Sequence, residues 1–213
     1  MKQSVTRYGR LEYITNLRVL AILDVVLFHC LSYYGSWGIN GAIQVQTYSF
    51  ITGVQYYMNI PLLFMISGYL FAYQIISKQK NINRWAAIRS KAKRLLWPFF
   101  FWGFVSWLLW SKFSIFTWFV FRGASHLWFL GTLFIMFGPL ILFLHRWSVS
   151  SMKTDNIVLF LLFLLYVFHI KYPIPFFVMD QVFRYSLSFY FGVYTFKHYN
   201  MFVREFQNRG GTI

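Results

Sequence analysis

Six apolar runs occupy most of this chain of 213 residues and limit what it can fold into. The run 157–168 carries no polar side-chain group except the hydroxyl of Tyr166. Runs of roughly 16 to 20 residues are about long enough for a helix to cross the hydrocarbon of a bilayer. Because backbone in lipid must satisfy its own hydrogen bonds, the pattern predicts an all-α, polytopic membrane helix bundle with about six transmembrane helices. The runs lie near residues 17–34, 57–76, 95–111, 127–144, 156–172 and 181–196.

The composition supports lipid as the solvent of a single domain. Hydrophobic residues make up 58% of the chain and charged residues only 12%, an excess that a soluble core of this size does not need. We therefore predict one domain over 1–213, with an N-terminal segment 1–16, a transmembrane bundle 17–196 and a tail 197–213. A further apolar stretch at 113–121 is too short to cross alone and is interpreted as interfacial or re-entrant.

The distribution of basic residues predicts the orientation of this bundle. Sixteen of the twenty lysines and arginines lie at the N-terminal end up to Arg18, after the sixth run, or in the connections 77–94 and 145–155. The opposite connections contain only Lys112, Arg122 and Lys171. Because cytoplasmic connections of membrane proteins are enriched in lysine and arginine, we predict that both termini are cytoplasmic.

Several classes of function are disfavoured by the same composition. The net charge of +15 is divided among the connections rather than gathered into one patch, so membrane lipids are expected as partners and nucleic acid is not. The single cysteine, Cys30, excludes an intrachain disulfide and a cysteine metal cage, and no histidine–carboxylate spacing predicts a metal site. No small-residue cleavage site follows the first run, which we interpret as a retained span rather than a signal peptide.

The first run contains an arginine and a histidine at helical spacing. Ten residues separate Arg18 from His29, which places the two on one helix face roughly 16 Å apart along the axis. Ionisable groups inside membrane spans tend to mark functional sites, and a buried histidine is suited to act as a general base. Alternatively, His29 hydrogen-bonds a neighbouring helix and Arg18 extends to lipid phosphate. Asp24, about 120° round from Arg18, either pairs with a basic residue of another helix or lines the same cavity.

Three further groups of candidate functional residues lie beyond the first run. Pro61 and Gly68 in the second run predict a distorted helix with a close backbone approach, a pattern that packing alone also explains. Lys91 and Arg94 open the third run and are suited to grip phosphates, although a topology signal meeting anionic headgroups explains them equally. His126 enters the fourth run from the outer side.

Four segments in this order resemble the acyltransferase-3 family of integral membrane acyltransferases. The resemblance implies a multi-pass enzyme of the bacterial cytoplasmic membrane. Such enzymes transfer an acyl group, commonly acetyl from acetyl-CoA, to a hydroxyl of a cell-envelope glycan or lipid-linked sugar, without a tightly bound cofactor. The segments are Arg18-x10-His29, Pro61-Leu-Leu-Phe-Met-Ile-Ser-Gly-Tyr69, Lys91-Ala-Lys-Arg-Leu-Leu-Trp-Pro98 and His126-Leu-Trp-Phe-Leu130.

The resemblance also implies roles for individual residues. His29 would be the catalytic histidine, and Arg18 the partner that positions the acyl donor. Lys91 and Arg94 match a basic pair that binds acyl-CoA, although arginine is frequent at both positions and a lysine at 91 lacks its bidentate geometry. His126 and Asp24 are candidates for orienting the acceptor or stabilising the oxyanion. Whether His29 acts as a base or carries the acyl group covalently is left open.

The length of the chain leaves other interpretations open. Members of the family usually have about ten spans, so the six predicted here indicate a fragment, an inactive truncated copy, or a short form completed by a homo-oligomer or partner subunit. A small transporter for a glycolipid or anion is a separate alternative, in which the stripe from Arg18 to His29 lines a conduction path.

Overall fold

The computed structural model describes residues 2–32, 46–77, 83–110, 112, 114–120, 124, 127–143, 148–174 and 176–210. Within these ranges the description leaves out the side chains of residues 2–11, 29, 31–32, 46–49, 51–52, 56, 77, 110 and 200–210. The described part of the chain is helical and contains no strand. Its helices are α1 (Lys2–Ser32), α2 (Gln46–Ser77), α3 (Arg84–Trp110), α4 (Ile115–Val120), α5 (Trp128–Leu142), α6 (Met152–Lys171) and α7 (Met179–Gly210).

The all-α class predicted from the sequence is confirmed, and each predicted run lies on a helix. Within the short stretch 113–121, residues 115–120 form α4. Among the described residues, two helical segments are long and apolar enough to cross a membrane, Gly53–Ile76 in α2 and Met152–Lys171 in α6. Helix α5 is apolar but shorter. Six spans and cytoplasmic termini stay predictions.

The chain divides into two compact units, residues 1–67 and 68–213. The first unit contains α1 and most of α2. In the second unit, α3 packs against α5 and α4, and α7 packs against both α5 and α6. Helices α5 and α7 therefore connect α3 and α4 with α6 in the second unit.

The last turns of α2 approach α7 closely at a glycine. A Cβ atom added at Gly68 would overlap the backbone carbonyl of Phe189, so only glycine permits this backbone contact. Beside it, Phe137 lies 4.9 Å from Phe71 and 5.4 Å from Phe189 between ring centroids. The close approach predicted at Gly68 is thus present, and α2 continues as a helix through Pro61.

The beginning of α7 is held by α3 and α4. Trp118 of α4 donates a hydrogen bond of 3.0 Å from Nε1 to the carbonyl of Gly103 in α3. The backbone N–H of Phe177 donates to the carbonyl of Val120, and Phe177 has a positive φ of 49°. This turn directs the chain into α7, while the ring of Phe177 packs edge-on against the fully buried Phe99.

Candidate functional site

The residues predicted on the first span all lie on one continuous helix. Arg18, Asp24 and His29 belong to α1, so the ten residues between Arg18 and His29 are helical, as expected. Arg18 is exposed and Asp24 is half-buried. The side chain of His29 lies outside the described residues, so its predicted role as a catalytic base stays a prediction.

Asp24 connects α1 to α2 through an amide rather than a basic residue. Gln55 Nε2 donates a hydrogen bond of 2.7 Å to Asp24 Oδ1. Gln55 Oε1 is buried without a hydrogen-bond partner among the described residues, and so is Nδ2 of Asn59, one turn further along α2. Residues four apart on a helix lie on the same face. The first unit therefore presents a carboxylate, an amide acceptor and an amide donor on facing parts of α1 and α2.

Lys91 lies against aromatic rings of the second unit. Its Nζ is 4.2 Å from the ring centroid of Phe137 and 5.4 Å from that of Phe71, both of which are buried. Burial lowers the pKa of Lys91, and the positive charge of Arg94 lowers it further. Because this ammonium has lost part of its hydration, an anion that reached it would be bound more strongly than by a hydrated lysine.

Arg94 completes the predicted basic pair on the surface. It lies three residues after Lys91 on α3 and is exposed, so the two cations differ in hydration although they share one helix turn. Acyl-CoA binding by this pair stays a prediction. His126 lies outside the described residues.

A buried ionic cluster in the second unit was not predicted from the sequence. Asp155, whose side chain is fully buried, accepts four hydrogen bonds from other side chains. The donor atoms are Ser150 Oγ at 2.6 Å, Tyr190 Oη at 2.9 Å, Lys197 Nζ at 2.5 Å and His198 Nε2 at 2.8 Å. We call these five residues the Asp155 cluster. It joins the first turn of α6 to the middle of α7.

The geometry of the Asp155 cluster indicates a structural role. Lys197 donates to Ser150 Oγ at 2.6 Å, while the same hydroxyl donates to Asp155. The serine therefore donates its proton to a carboxylate that already accepts three other hydrogen bonds. Lys197 donates to the serine oxygen and does not accept its proton, so nothing here activates Ser150 as a nucleophile. A buried charge with this many partners is compensated and stabilises one arrangement of the helices.

The scarcity of acidic residues was the sequence signal for this cluster. The chain has five aspartates and glutamates in total, and Asp155 is one of three that fall in or beside an apolar run. The predicted tail begins at Lys197, whereas α7 continues through Lys197 and His198 and buries both side chains to at least nine-tenths.

Asp180, the third aspartate in or beside an apolar run, contacts a histidine of the neighbouring helix. His169 Nε2, near the end of α6, lies 2.9 Å from Asp180 Oδ1, in the first turn of α7. Both residues lie near the predicted outer side of the bundle, and no sequence pattern connects them. The structure brings them together.

Comparison with known proteins identifies the family of this chain. Residues 11–210 match the sequence model of the acyltransferase-3 family, which is described as an acyltransferase domain. Neither the curated proteins nor the solved structures compared with the chain give a match. The family match covers α2 to α7 and most of α1, and members of the family are typically membrane-embedded. The chain therefore belongs to the acyltransferase-3 family.

Proposed function

We propose that this chain transfers an acyl group, with acetyl as the expected one, from acyl-CoA to a hydroxyl of a cell-envelope glycan or lipid-linked sugar. The observation that carries the proposal is the family match over residues 11–210, which supports acyltransferase function in general terms. The donor, the acceptor and the location in the bacterial cytoplasmic membrane are parts of the proposal. The family match favours this enzyme over the transporter.

The donor is proposed to bind at the start of α3. Coenzyme A carries a 3′-phosphate and a diphosphate, and these anions are attracted by the closely spaced Lys91 and Arg94. The partly desolvated ammonium of Lys91 supports a specific contact, because a lysine that only marks topology has no reason to lie over Phe137 and Phe71. Arg94, which is exposed, is suited to bidentate binding of a second phosphate.

The acceptor hydroxyl is proposed to be activated by residues of the first unit. His29 removes the hydroxyl proton, the oxygen attacks the thioester carbonyl, and the carbon–sulfur bond breaks to release coenzyme A as the thiol. Arg18, which lies on the same helix as His29, positions the acyl-CoA. Gln55 Oε1 accepts from a sugar hydroxyl and Asn59 Nδ2 donates to one, while Asp24 holds the Gln55 amide in place.

His126 has a smaller part in the proposal. At the outer end of the fourth run it either orients the acceptor or donates to the carbonyl oxygen as negative charge develops there. The family motif is the support for this role.

Release of coenzyme A distinguishes the enzyme from the transporter. Membranes that contain the wild-type chain are given acetyl-CoA and a tritiated oligosaccharide prepared from the host's envelope glycan, and free thiol is measured with time. We expect release above the rate of membranes without the chain, and loss of that excess in His29→Ala. Cys30→Ala, on the same helix turn, serves as the control and should release thiol at the wild-type rate. Oligosaccharide uptake into sealed vesicles without thiol release would instead establish the transporter.

A further inference from the structure

Helix α3 presents a row of exposed side chains that changes from basic to aromatic. Arg89, Lys93, Trp97 and Phe101 follow one another at intervals of four residues, so their side chains adjoin along one side of the helix. All four are exposed, Trp97 to 71% and Phe101 to 51%. The rings of Trp97 and Phe101 stack, with a centroid distance of 6.5 Å and an interplanar angle of 16°. We call these four residues the α3 ridge.

The α3 ridge lies on a different face of the helix from the proposed acyl-CoA site. Residues two apart in a helix differ by about 160° around its axis, so Lys93 lies nearly opposite Lys91. Lys91 accordingly contacts the buried rings of Phe71 and Phe137, whereas Lys93 is exposed. The proposed donor site therefore does not account for the ridge.

The two cations of the α3 ridge have no acidic residue near them in the chain. No aspartate or glutamate occurs between Asp24 and Asp155, a stretch that includes α3 and also α4 and α5, which pack against it. Asp155 itself is fully buried and bonded to four groups of its own cluster. The anion that neutralises Arg89 and Lys93 therefore comes from outside the chain.

The order of groups along the ridge fits a lipid better than a free anion. No charged residue occurs between Arg94 and Lys112, and the exposed residues of α3 beyond Arg94 are all apolar. Tryptophan is enriched where the hydrocarbon of a membrane meets water, so Trp97 indicates this boundary. Lys93 lies about 6 Å from it towards the water, and Phe101 lies equally far into the hydrocarbon. A headgroup phosphate and its acyl chain thus each meet a matching surface.

A second copy of this chain fits the ridge less well than a lipid does. The chain has twenty basic and only five acidic residues, and three of the five, Asp24, Asp155 and Asp180, are bonded within the chain. A second copy would therefore bring mainly like charge to Arg89 and Lys93. Anionic phospholipids supply both the charge and the apolar chain, and lysines and arginines near a membrane surface attract them.

We propose that the α3 ridge binds an anionic phospholipid in the predicted cytoplasmic leaflet. The headgroup phosphate lies against Arg89 and Lys93, and an acyl chain lies along Trp97 and Phe101. This site is independent of the proposed acyl transfer, because it requires neither acyl-CoA nor a catalytic residue.

Equilibrium binding of tritiated phosphatidylglycerol to the purified chain tests the proposal. The chain is held in dodecyl maltoside micelles with an excess of phosphatidylcholine, so that general attraction by charge stays small. We expect the wild type to bind phosphatidylglycerol more tightly than tritiated phosphatidylcholine. Lys93→Gln should weaken phosphatidylglycerol binding about fivefold, since one cation beside the phosphate is lost, and should leave phosphatidylcholine binding unchanged. Arg89→Gln should give a similar loss.

Lys153→Gln is the matched control. Lys153 is also an exposed lysine four residues before an exposed apolar residue, Ile157, but Val149 occupies the position that corresponds to Arg89. This variant should bind phosphatidylglycerol as the wild type does. Lys91→Met, on the opposite face of α3, should also keep phosphatidylglycerol binding.

Four results would overturn the proposal. Equal affinity of the wild type for the two lipids would show that the ridge does not recognise the headgroup charge. An equal loss in Lys93→Gln and Lys153→Gln would indicate general attraction by charge. Displacement of phosphatidylglycerol by soluble glycerol phosphate would identify a site for free phosphate. A change from dimer to monomer in Lys93→Gln, with unchanged lipid binding, would assign the ridge to a second copy of the chain.

Discussion

At the scale of single residues, the carboxylates fix contacts that apolar packing leaves undetermined. Asp24, Asp155 and Asp180 each contact a polar group of another helix. In an apolar bundle such a contact is specific, because a helix that rotates away leaves a charge without a partner. The acidic residues are few, and each of these three holds a defined helix pair.

Removal of the Asp155 carboxylate should destabilise the second unit strongly. Asp155→Ala leaves the buried ammonium of Lys197 without a counter-charge, which typically costs about 3–5 kcal/mol. Asp155→Asn keeps an oxygen that accepts from Tyr190 and should cost less. Thermal unfolding of the chain in detergent, followed by circular dichroism, measures both. Equal unfolding temperatures for Asp155→Ala and the wild type would show that the cluster does not hold α6 to α7.

Removing the charge of Lys91 should stabilise the fold at neutral pH, although the proposed acyl-CoA binding needs that charge. Because burial lowers its pKa, the folded chain binds fewer protons than the unfolded chain between that pKa and the ordinary value of 10.5. Protonated Lys91 therefore opposes folding at neutral pH, and this penalty disappears as the pH rises through that range. Lys91→Met should raise the unfolding temperature at pH 7 by about 2 °C and lose the difference near pH 11.

The same variant should bind acyl-CoA more weakly. The matched control is Lys93→Met, because Lys93 is exposed on the same helix. Tritiated acetyl-CoA binding to membranes should fall about tenfold in Lys91→Met and change little in Lys93→Met. An equal fall of acetyl-CoA binding in both variants would show that Lys91 acts only through its positive charge, and would contradict a specific site at Lys91 and Arg94.

At the scale of helices, the sequence predicts where helices lie but not which faces meet. Apolar runs locate the helices. Gly68 also indicates the contact of α2 with the backbone of α7, because two helix backbones come this close only where a side chain is missing. Helix α6 is apolar on all sides over most of its length, so its pattern cannot indicate the face that meets α7. Asp155 and Lys197 are separated by most of two helices, and no local pattern connects residues that distant.

The contact between α2 and α7 gives a test at this scale. Gly68→Ala places a methyl group against the Phe189 carbonyl, and moving the helices apart should cost about 2–3 kcal/mol. The control is Gly53→Ala on the same helix, where an added Cβ meets nothing within 4 Å. Because alanine favours helix over glycine, that variant should be as stable as the wild type or slightly more stable. Equal unfolding temperatures for both variants would refute the tight contact.

At the scale of the whole molecule, the orientation in the membrane that the basic residues predict can be measured on one helix. Lys153 and Lys171 lie near the two ends of α6, which is long enough to cross a bilayer. In a Cys30→Ser background, Lys171→Cys should react with a membrane-impermeant maleimide in intact cells. Lys153→Cys should react only after permeabilisation. The reverse pattern would invert the predicted topology, and labelling of both in intact cells would show that α6 does not span.

The whole-molecule account depends on transfer of an acyl group to envelope glycan. The decisive measurement is the incorporation of radiolabelled acetyl from acetyl-CoA into that glycan, in membranes with wild-type, His29→Ala or Cys30→Ala protein at equal levels. The account predicts label with the wild type and Cys30→Ala, and none above background with His29→Ala. Label that is equal in His29→Ala and the wild type would contradict the role of His29, and no label with any of the three would contradict acetyl transfer.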